Sequence, residues 1–301
     1  MKVVIGGSGF IGSHLVKRFI GEGEDVKIID ATRPKFNSKA NYYKLDITSI
    51  SDLNKTISQN DEVYNFVSIL GTKELMLNNK KAVKFNIVSA INVLDVCRKK
   101  LVRSLFYPSK PIVGLNTYTI TKSAAEQFHL MYQKYFKMNP IIMRLFDVYG
   151  PGQSLYPVRK AIPFFIASAL LDKPIKVYGD GKQTINPIYV EDVVEAIAKI
   201  TKNYNNLSEI FDIGPKESIT VNKLVGRIIK LTNSKSDVIY ENMRLGEDSN
   251  NVKADNKKLS RLIKLKEFTD LDTGLRKTID YYKNLDGERL TGAVNFHLKQ
   301  N

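Results

Sequence analysis

Three glycines set three residues apart, in Gly6-Gly7-Ser8-Gly9-Phe10-Ile11-Gly12, follow a short apolar run from Lys2 to Ile5. An amphipathic stretch comes directly after them, with Ile11, Leu15, Phe19 and Ile20 apolar around Lys17 and Arg18. The pattern predicts a strand, a tight turn and a helix N-terminus at the very start of the chain. Glycine suits such a turn because the backbone must bend sharply and let a ligand approach its N–H groups. The helix that opens behind it carries unpaired N–H groups and the positive end of its dipole, an arrangement that favours a pyrophosphate.

A second apolar run, Asp25 to Ile29, leads to Asp30, 18 residues beyond Gly12. An acid about 20 residues past such glycines is placed to hold a ribose 2′-hydroxyl. Its carboxylate repels a 2′-phosphate, so NAD is favoured over NADP, with Arg33 close by as the one feature pulling the other way. The plainer reading is a structural glycine turn with Asp30 as a capping residue.

The alternation continues. Strands are expected at Val3–Gly6, Asp25–Asp30, Tyr42–Ile47, Val63–Val67, Arg103–Tyr107 and Pro140–Phe146, and helices at Ile11–Ile20, Ile50–Ser58, Lys81–Lys99 and Thr121–Phe136. This order argues for an α/β fold, a parallel sheet covered by helices on both faces, with a ligand at the carboxyl ends of its strands. After Gly150-Pro151-Gly152 the rhythm changes, and prolines at 157, 163, 174, 187 and 215 interrupt short elements. Further helices are expected at about Pro163–Leu171, Glu191–Thr201, Val221–Leu231 and Thr273–Tyr282, with a strand at Ile175–Tyr178. The expected division is a dinucleotide-binding domain over 1–150 with a returning segment at about 176–214. A substrate-binding domain takes 151–175 and 215–285, and 286–301 forms a tail.

Composition bounds the rest. A chain of 301 residues buries a large core. No apolar run approaches the roughly 20 residues that span a bilayer. Met1-Lys2 leads straight into a core strand, so no secretory leader is expected and the cytoplasm is the expected location. Cys97 is the single cysteine and reads as a buried apolar filler, which leaves no intrachain disulfide. His14, His129 and His297 are scattered, without the spacing of a zinc site, and no metal is expected. The net charge of +15 is spread over the chain and reads as a lysine-rich solvated surface, or as an attraction for anionic ligands. No recognition helix, zinc finger or aromatic RNA-binding motif supports nucleic acid.

Tyr118 and Lys122 lie one helical turn apart, on one face. An ammonium beside a phenol lowers the phenol's pKa and makes it a usable acid–base. Tyr156 with Lys160, and Tyr178 with Lys182, share the spacing. Only Tyr118 follows the fifth strand and opens a long amphipathic helix facing the expected crevice. A surface contact is the alternative.

Taken together, these motifs resemble the extended short-chain dehydrogenases/reductases, specifically the NAD-dependent nucleotide-sugar epimerases and dehydratases. The resemblance rests on the stretch from Gly6 to Leu15, on Asn86 to Leu94, on Tyr118-Thr-Ile-Thr-Lys122, and on Met143-Arg144-Leu-Phe-Asp147-Val-Tyr149-Gly150-Pro151-Gly152. It continues through Val177-Tyr-Gly179-Asp-Gly181, Tyr189-Val-Glu-Asp192 and Arg244-Leu-Gly246-Glu247, up to about Asn284. The resemblance implies a Rossmann-like doubly wound parallel sheet with a smaller C-terminal α/β substrate domain. Gly6, Gly9, Phe10, Ile11 and Gly12 would cradle the cofactor's pyrophosphate, Asp30 its adenosine ribose and Asp46 the adenine edge. Val67 and Ser68 would pass beside it. Tyr118 would be the acid–base, and Lys122 would bind the nicotinamide ribose and tune Tyr118. Arg244 would meet the substrate's phosphates. A homodimer is implied, through the helices at 81–99 and 121–136. The implied reaction is C4 epimerisation through a 4-keto intermediate.

Some positions depart from the family pattern. After the fifth strand, where a Ser or Thr usually bonds the reacting hydroxyl, the run is Tyr107-Pro108-Ser109-Lys110-Pro111, with Lys110 aligned to the catalytic position and Ser109 beside it. Ser109, Thr117 and Thr119 are the hydroxyls available to replace it. The acidic pair of 4,6-dehydratases is missing from that run. Asp147 stands where the family has Asn, and Ile185 where it has a phosphate-binding Arg; Arg159 or Lys160 would compensate. The alternatives are a dehydratase or reductase with a rebuilt loop, or a catalytically weakened member that binds NAD or RNA.

Overall fold

The computed structural model describes residues 1–36, 39–102, 104–111, 114–203, 209–247, 253–263 and 267–299. Arg103, expected to begin the fifth strand, and Gln300 and Asn301 of the expected tail lie outside the described residues.

The first half alternates as expected: β1 (Lys2–Ile5), α1 (Phe10–Gly21), β2 (Val26–Asp30), β3 (Asn41–Lys44), α2 (Ile50–Thr56), β4 (Glu62–Asn65), α3 (Thr72–Met76), α4 (Asn79–Ala82), α5 (Ser89–Lys99), β5 (Ser104–Ser109), α6 (Thr117–Phe136) and β6 (Pro140–Leu145). Then follow β7 (Asp147–Tyr149), α7 (Ala161–Leu170), β8 (Ile175–Tyr178), β9 (Thr184–Ile185), β10 (Pro187–Tyr189), α8 (Val190–Asn203), β11 (Ile210–Ile213), β12 (Ile219–Thr220), α9 (Val221–Thr232), β13 (Val238–Glu241), α10 (Lys257–Ile263), α11 (Leu271–Lys283) and α12 (Gly287–Lys299).

A seven-stranded sheet, parallel throughout, has the order β11-β6-β5-β4-β1-β2-β3. The reversal of order beside β1 opens a crevice at the strand ends. Successive residues of β1 serve opposite faces, as strand pleating requires. Val4 packs with Leu15 and Phe19 of α1 and Val193 and Ile197 of α8. Val3 and Ile5 pack with Val93 and Leu94 of α5 and Tyr132 of α6. Both faces are covered, which is why β1 is apolar without alternation. Leu15 and Phe19 are essentially fully buried, and each such side chain contributes about 2–3 kcal/mol of transfer free energy.

A third cluster packs α7, α9, α11 and α12 around Phe164, Phe165, Leu224, Ile228, Leu275, Tyr282 and Val294. Here the structure departs from the expected division. The returning segment expected from about 176 first places β8 against β13. The chain rejoins the main sheet only where β11 pairs with β6. The expected tail forms α12, whose Leu290, Ala293, Val294 and His297 recur at helical spacing and are buried against α7. The expected single helix at 81–99 contains a π-helical stretch, Val83–Val88, between α4 and α5.

Two local differences shape the crevice. α6 begins at Thr117 rather than Thr121, because the Asn116 side chain caps it by accepting the Thr119 N–H at 2.9 Å. β5 runs on through Pro108 to Ser109. Its register with β4 ends at Phe106, so a proline beyond that point removes no ladder bond on that side.

Candidate active site

The crevice is a cavity of about 640 Å³ at the carboxyl ends of β1, β4, β5 and β6. Of the residues singled out in the sequence, Gly6, Gly9, Phe10, Ile11, Gly12, Ser68, Ser109, Tyr118, Lys122, Arg159 and Arg244 all line it. Asp30, Asp46 and Val67 are not part of that lining.

One end of the cavity is the glycine turn. Gly6 has φ +82°, a conformation that L side chains rarely adopt. Gly9 precedes α1 and donates its N–H to the Gly6 carbonyl at 3.0 Å. At Gly12 the helix presses so close to the strand that a Cβ would lie 2.2 Å from the Gly6 oxygen. The first turn of α1 carries no acidic side chain, so its opening N–H groups face the cavity without a competing anion. Asp30 ends β2 and braces this turn. One of its carboxylate oxygens accepts the Ser8 N–H at 3.1 Å and the other the Thr32 N–H at 3.0 Å. Asp46, in the loop after β3, accepts the Thr48 N–H at 2.9 Å, a bond that holds its carboxyl below the usual range. Val67 touches the glycine turn from the end of β4. These residues fit a dinucleotide: backbone donors at a helix N-terminus, glycine where a pyrophosphate must come close, and a carboxylate beside them.

The middle of the cavity holds Tyr118. Burial pushes its phenol up to about 12, with the nearby Ser68 side chain pulling the other way. The expected lowering by the Lys122 ammonium is absent here. Lys122 donates to the Pro108 carbonyl at 2.8 Å and lies 4.3 Å from the centre of the Tyr107 ring. Burial brings Lys122 down to about 7. The cation nearest the Tyr118 ring is instead Lys110, with Nζ 5.2 Å from its centre.

Ser109 ends β5 with its hydroxyl buried and without a hydrogen-bond partner among the described residues. A buried orphan hydroxyl facing a cavity costs free energy unless a ligand satisfies it. Thr117 and Thr119, the other two hydroxyls considered, do not line the cavity, and Thr117 is engaged with Asn79.

Beneath this row, Tyr107 stacks on His129 with ring centres 4.0 Å apart, and Glu126, fully buried, pairs with Arg144 at 2.6 Å. None of these residues was singled out in the sequence as supporting the site. A glutamate and a histidine at the spacing Lys122, Glu126, His129 continue one face of α6, which is the signal that could have found them.

The far end of the cavity is cationic. Arg159 donates to the Tyr178 hydroxyl at 2.7 Å and the Lys176 carbonyl at 2.6 Å, and lies between the rings of Phe164 and Tyr178. Arg244 pairs with Glu247 and with Glu74, both at 3.1 Å. Glu74 comes from α3, a short helix absent from the sequence-based expectation. Asn116 donates to the Gly246 carbonyl at 3.0 Å and so ties the Arg244 segment to α6. Ile185 lines this end, and Asp147 accepts the Asn186 N–H at 2.8 Å.

The model of the NAD-dependent epimerase/dehydratase family matches residues 2–214. A UDP-N-acetyl-α-D-glucosaminuronate decarboxylase of Bacillus cytotoxicus is 28% identical over 95% of this chain and 98% of its own. A putative UDP-glucose 4-epimerase of Methanocaldococcus jannaschii is 28% identical over 94% of this chain and 99% of its own. Among solved structures, a UDP-glucuronic acid 4-epimerase from Bacillus cereus, in complex with UDP-glucuronic acid and NAD, superposes with a TM-score of 0.86. It is 26% identical, over 95% of this chain and 100% of that one.

Proposed function

The chain belongs to the NAD-dependent epimerase/dehydratase family, and from that premise we propose that it is a nucleotide-sugar epimerase that inverts C4. The observation that carries this reading is the line of groups along one cavity, from the glycine turn through Ser68, Tyr118 and Ser109 to Arg159 and Arg244.

In this reading Gly6, Gly9 and the N-terminus of α1 hold the pyrophosphate of NAD, with Asp30 toward the adenosine ribose and Lys122 toward the nicotinamide ribose. NAD⁺, when bound, supplies the acceptor that takes hydride from the sugar and gives it back. The protein's own groups handle the proton and the placement. The Tyr118 phenolate accepts the proton of the C4 hydroxyl and returns it after the keto-sugar has turned over. Ser68 stands beside that oxygen, and the Ser109 hydroxyl, without a partner among the described residues, donates to the sugar oxygen. Lys110, with Nζ 5.2 Å from the ring centre, is the cation placed to favour the phenolate. Arg159 and Arg244 anchor the diphosphate while the sugar rotates.

A dehydratase needs an acid beside the reacting carbon to expel water. The residue after Ser109 is Lys110, which supports epimerisation over elimination. The deciding experiment incubates the purified protein with a panel of nucleotide-sugars and NAD, followed by mass and NMR. Inversion at C4 with unchanged mass is expected; loss of water, of CO₂, or no turnover across the panel overturns the proposal.

The same reading has the chain pair with a second copy across α5 and α6. Val88 and Phe136 on this side are exposed at 42% and 43%. Light scattering is expected to give twice 34.1 kDa, and a monomer at micromolar concentration contradicts it.

A further inference from the structure

Six cationic side chains line the cavity against two acidic ones. Four of the six are engaged. Arg244 is held between Glu74 and Glu247, Lys176 pairs with Glu241 at 2.7 Å, Arg159 donates to Tyr178 and the Lys176 carbonyl, and Lys122 donates to the Pro108 carbonyl. Lys110 and Lys160 remain. The ammonium group of neither forms an ion pair or hydrogen bond with any described residue, and each lines the cavity. Burial holds both below the usual lysine range; Glu74 and Glu247 attract Lys160 while Lys110 and Arg244 repel it.

Two mutually repelling ammonium groups in a partly dry cavity are costly unless an anion sits between them. The acid nearest Lys110 is Asp147, which attracts it without contact and is already engaged by the Asn186 N–H. The substrate's diphosphate has Arg159 and Arg244 at the far end. Lys110 sits elsewhere, at the reacting end, with Nζ 5.2 Å from the centre of the Tyr118 ring. A sugar whose C4 hydroxyl meets Tyr118 has its C5 substituent next to that position.

We infer that Lys110, with Lys160 behind it, is a specificity residue for a carboxylate on the sugar, so that the preferred substrate is a nucleotide-uronic acid rather than a neutral hexose. The inference rests on the nucleotide-sugar reading above and narrows it. The carboxylate accepts from both ammonium groups, which neutralises their repulsion and fixes the pyranose against Tyr118. A hexose with a hydroxymethyl group in its place offers neither ammonium a directly paired anion.

Titration calorimetry on the NAD-loaded protein tests it with three probes: UDP, UDP-glucose and UDP-glucuronate. UDP reports the diphosphate contacts alone, and the two sugars differ only at C6. UDP-glucuronate is expected to bind roughly ten- to a hundredfold more tightly than UDP-glucose, the range of a charge-assisted contact. Lys110→Met is expected to erase that preference, and Lys110→Arg to keep most of it. Equal affinities in the unaltered protein overturn the inference and leave the epimerase reading standing, and they do so even where the variants fail to fold. A Lys110→Met that weakens UDP as much as UDP-glucuronate also overturns it, by assigning Lys110 to the diphosphate. Failure of all three probes to bind removes both readings.

Discussion

Lys122 and Tyr118 sit one turn apart on α6, yet the ammonium of the first donates to the Pro108 carbonyl at 2.8 Å, and burial alone raises the phenol of the second. At about 12 the phenol is a poor base near neutral pH, and the lysine is engaged at the end of β5. A proton acceptor of this kind becomes effective when cationic groups gather at the ring.

Tyr118→Phe removes the proton carrier and little else, because the ring remains. Turnover of the best nucleotide-sugar is expected to fall roughly 10²- to 10⁴-fold, with affinity for that sugar changed by less than about threefold. Steady-state rates beside calorimetry read both. A variant with near-normal turnover removes Tyr118 from the chemistry.

Gly12→Ala places a methyl group 2.2 Å from the Gly6 carbonyl oxygen, which is backbone and cannot swing aside. A loss of about 1–3 kcal/mol is expected, the usual range for overpacking, together with loss of bound dinucleotide. Thermal melting and the nucleotide released on denaturation check the two parts separately. Unchanged melting means that α1 shifts freely against β1, contrary to the packing described.

His129 is buried, donates through Nδ1 to the Ala125 carbonyl at 2.7 Å, and leaves Nε2 without a hydrogen-bond partner. Burial lowers it to about 4. Its folded value lies below the unfolded one of about 6.5, so the unfolded chain binds the proton more readily. The stability tied to this group is whole above pH 6.5 and drains as pH falls toward 4, to a total of about 3 kcal/mol. His129→Phe keeps a ring against Tyr107 and removes the titration. Urea unfolding at about pH 7.5 and 4.5 is expected to show a smaller acid loss in the variant than in the parent; equal losses defeat the assignment.

Arg159 is held by geometry as much as by charge, with its guanidinium carbon 3.8 Å from the centre of the Phe164 ring and 4.5 Å from that of Tyr178, and two acceptors for its N–H groups. Lysine cannot reproduce a planar fork. Arg159→Lys and Arg159→Met are both expected to weaken UDP binding about tenfold or more. Full rescue by lysine reduces Arg159 to a diffuse positive charge.

What was legible in the sequence followed spacing along the chain. The glycine turn, Asp30 at the end of β2, and Tyr118 with Lys122 are each local patterns, and the structure brings the turn, the phenol and the lysine to one cavity. What was hidden depends on residues distant in sequence. Glu74 matters because Arg244, 170 positions away, reaches it. Lys122 is diverted by a carbonyl that is free only because β4 stops short of Pro108. β8 reads as a strand from its composition, but nothing in it says that β13 is its neighbour. The helix at 287–299 was within reach: Leu290, Ala293, Val294 and His297 have helical spacing, outweighed by the polar residues around them.

Arg244 arrives at the cavity already neutralised, with a carboxylate from each side of the crevice on its fork. An incoming phosphate therefore has to win the guanidinium from Glu74 and Glu247, and a departing one hands it straight back. Binding becomes an exchange of anions rather than the capture of a bare charge, which lowers the grip on the ligand and hastens its escape. In the epimerase reading proposed above, product and substrate differ at a single stereocentre and bind almost equally well, and quick release is what keeps turnover from stalling.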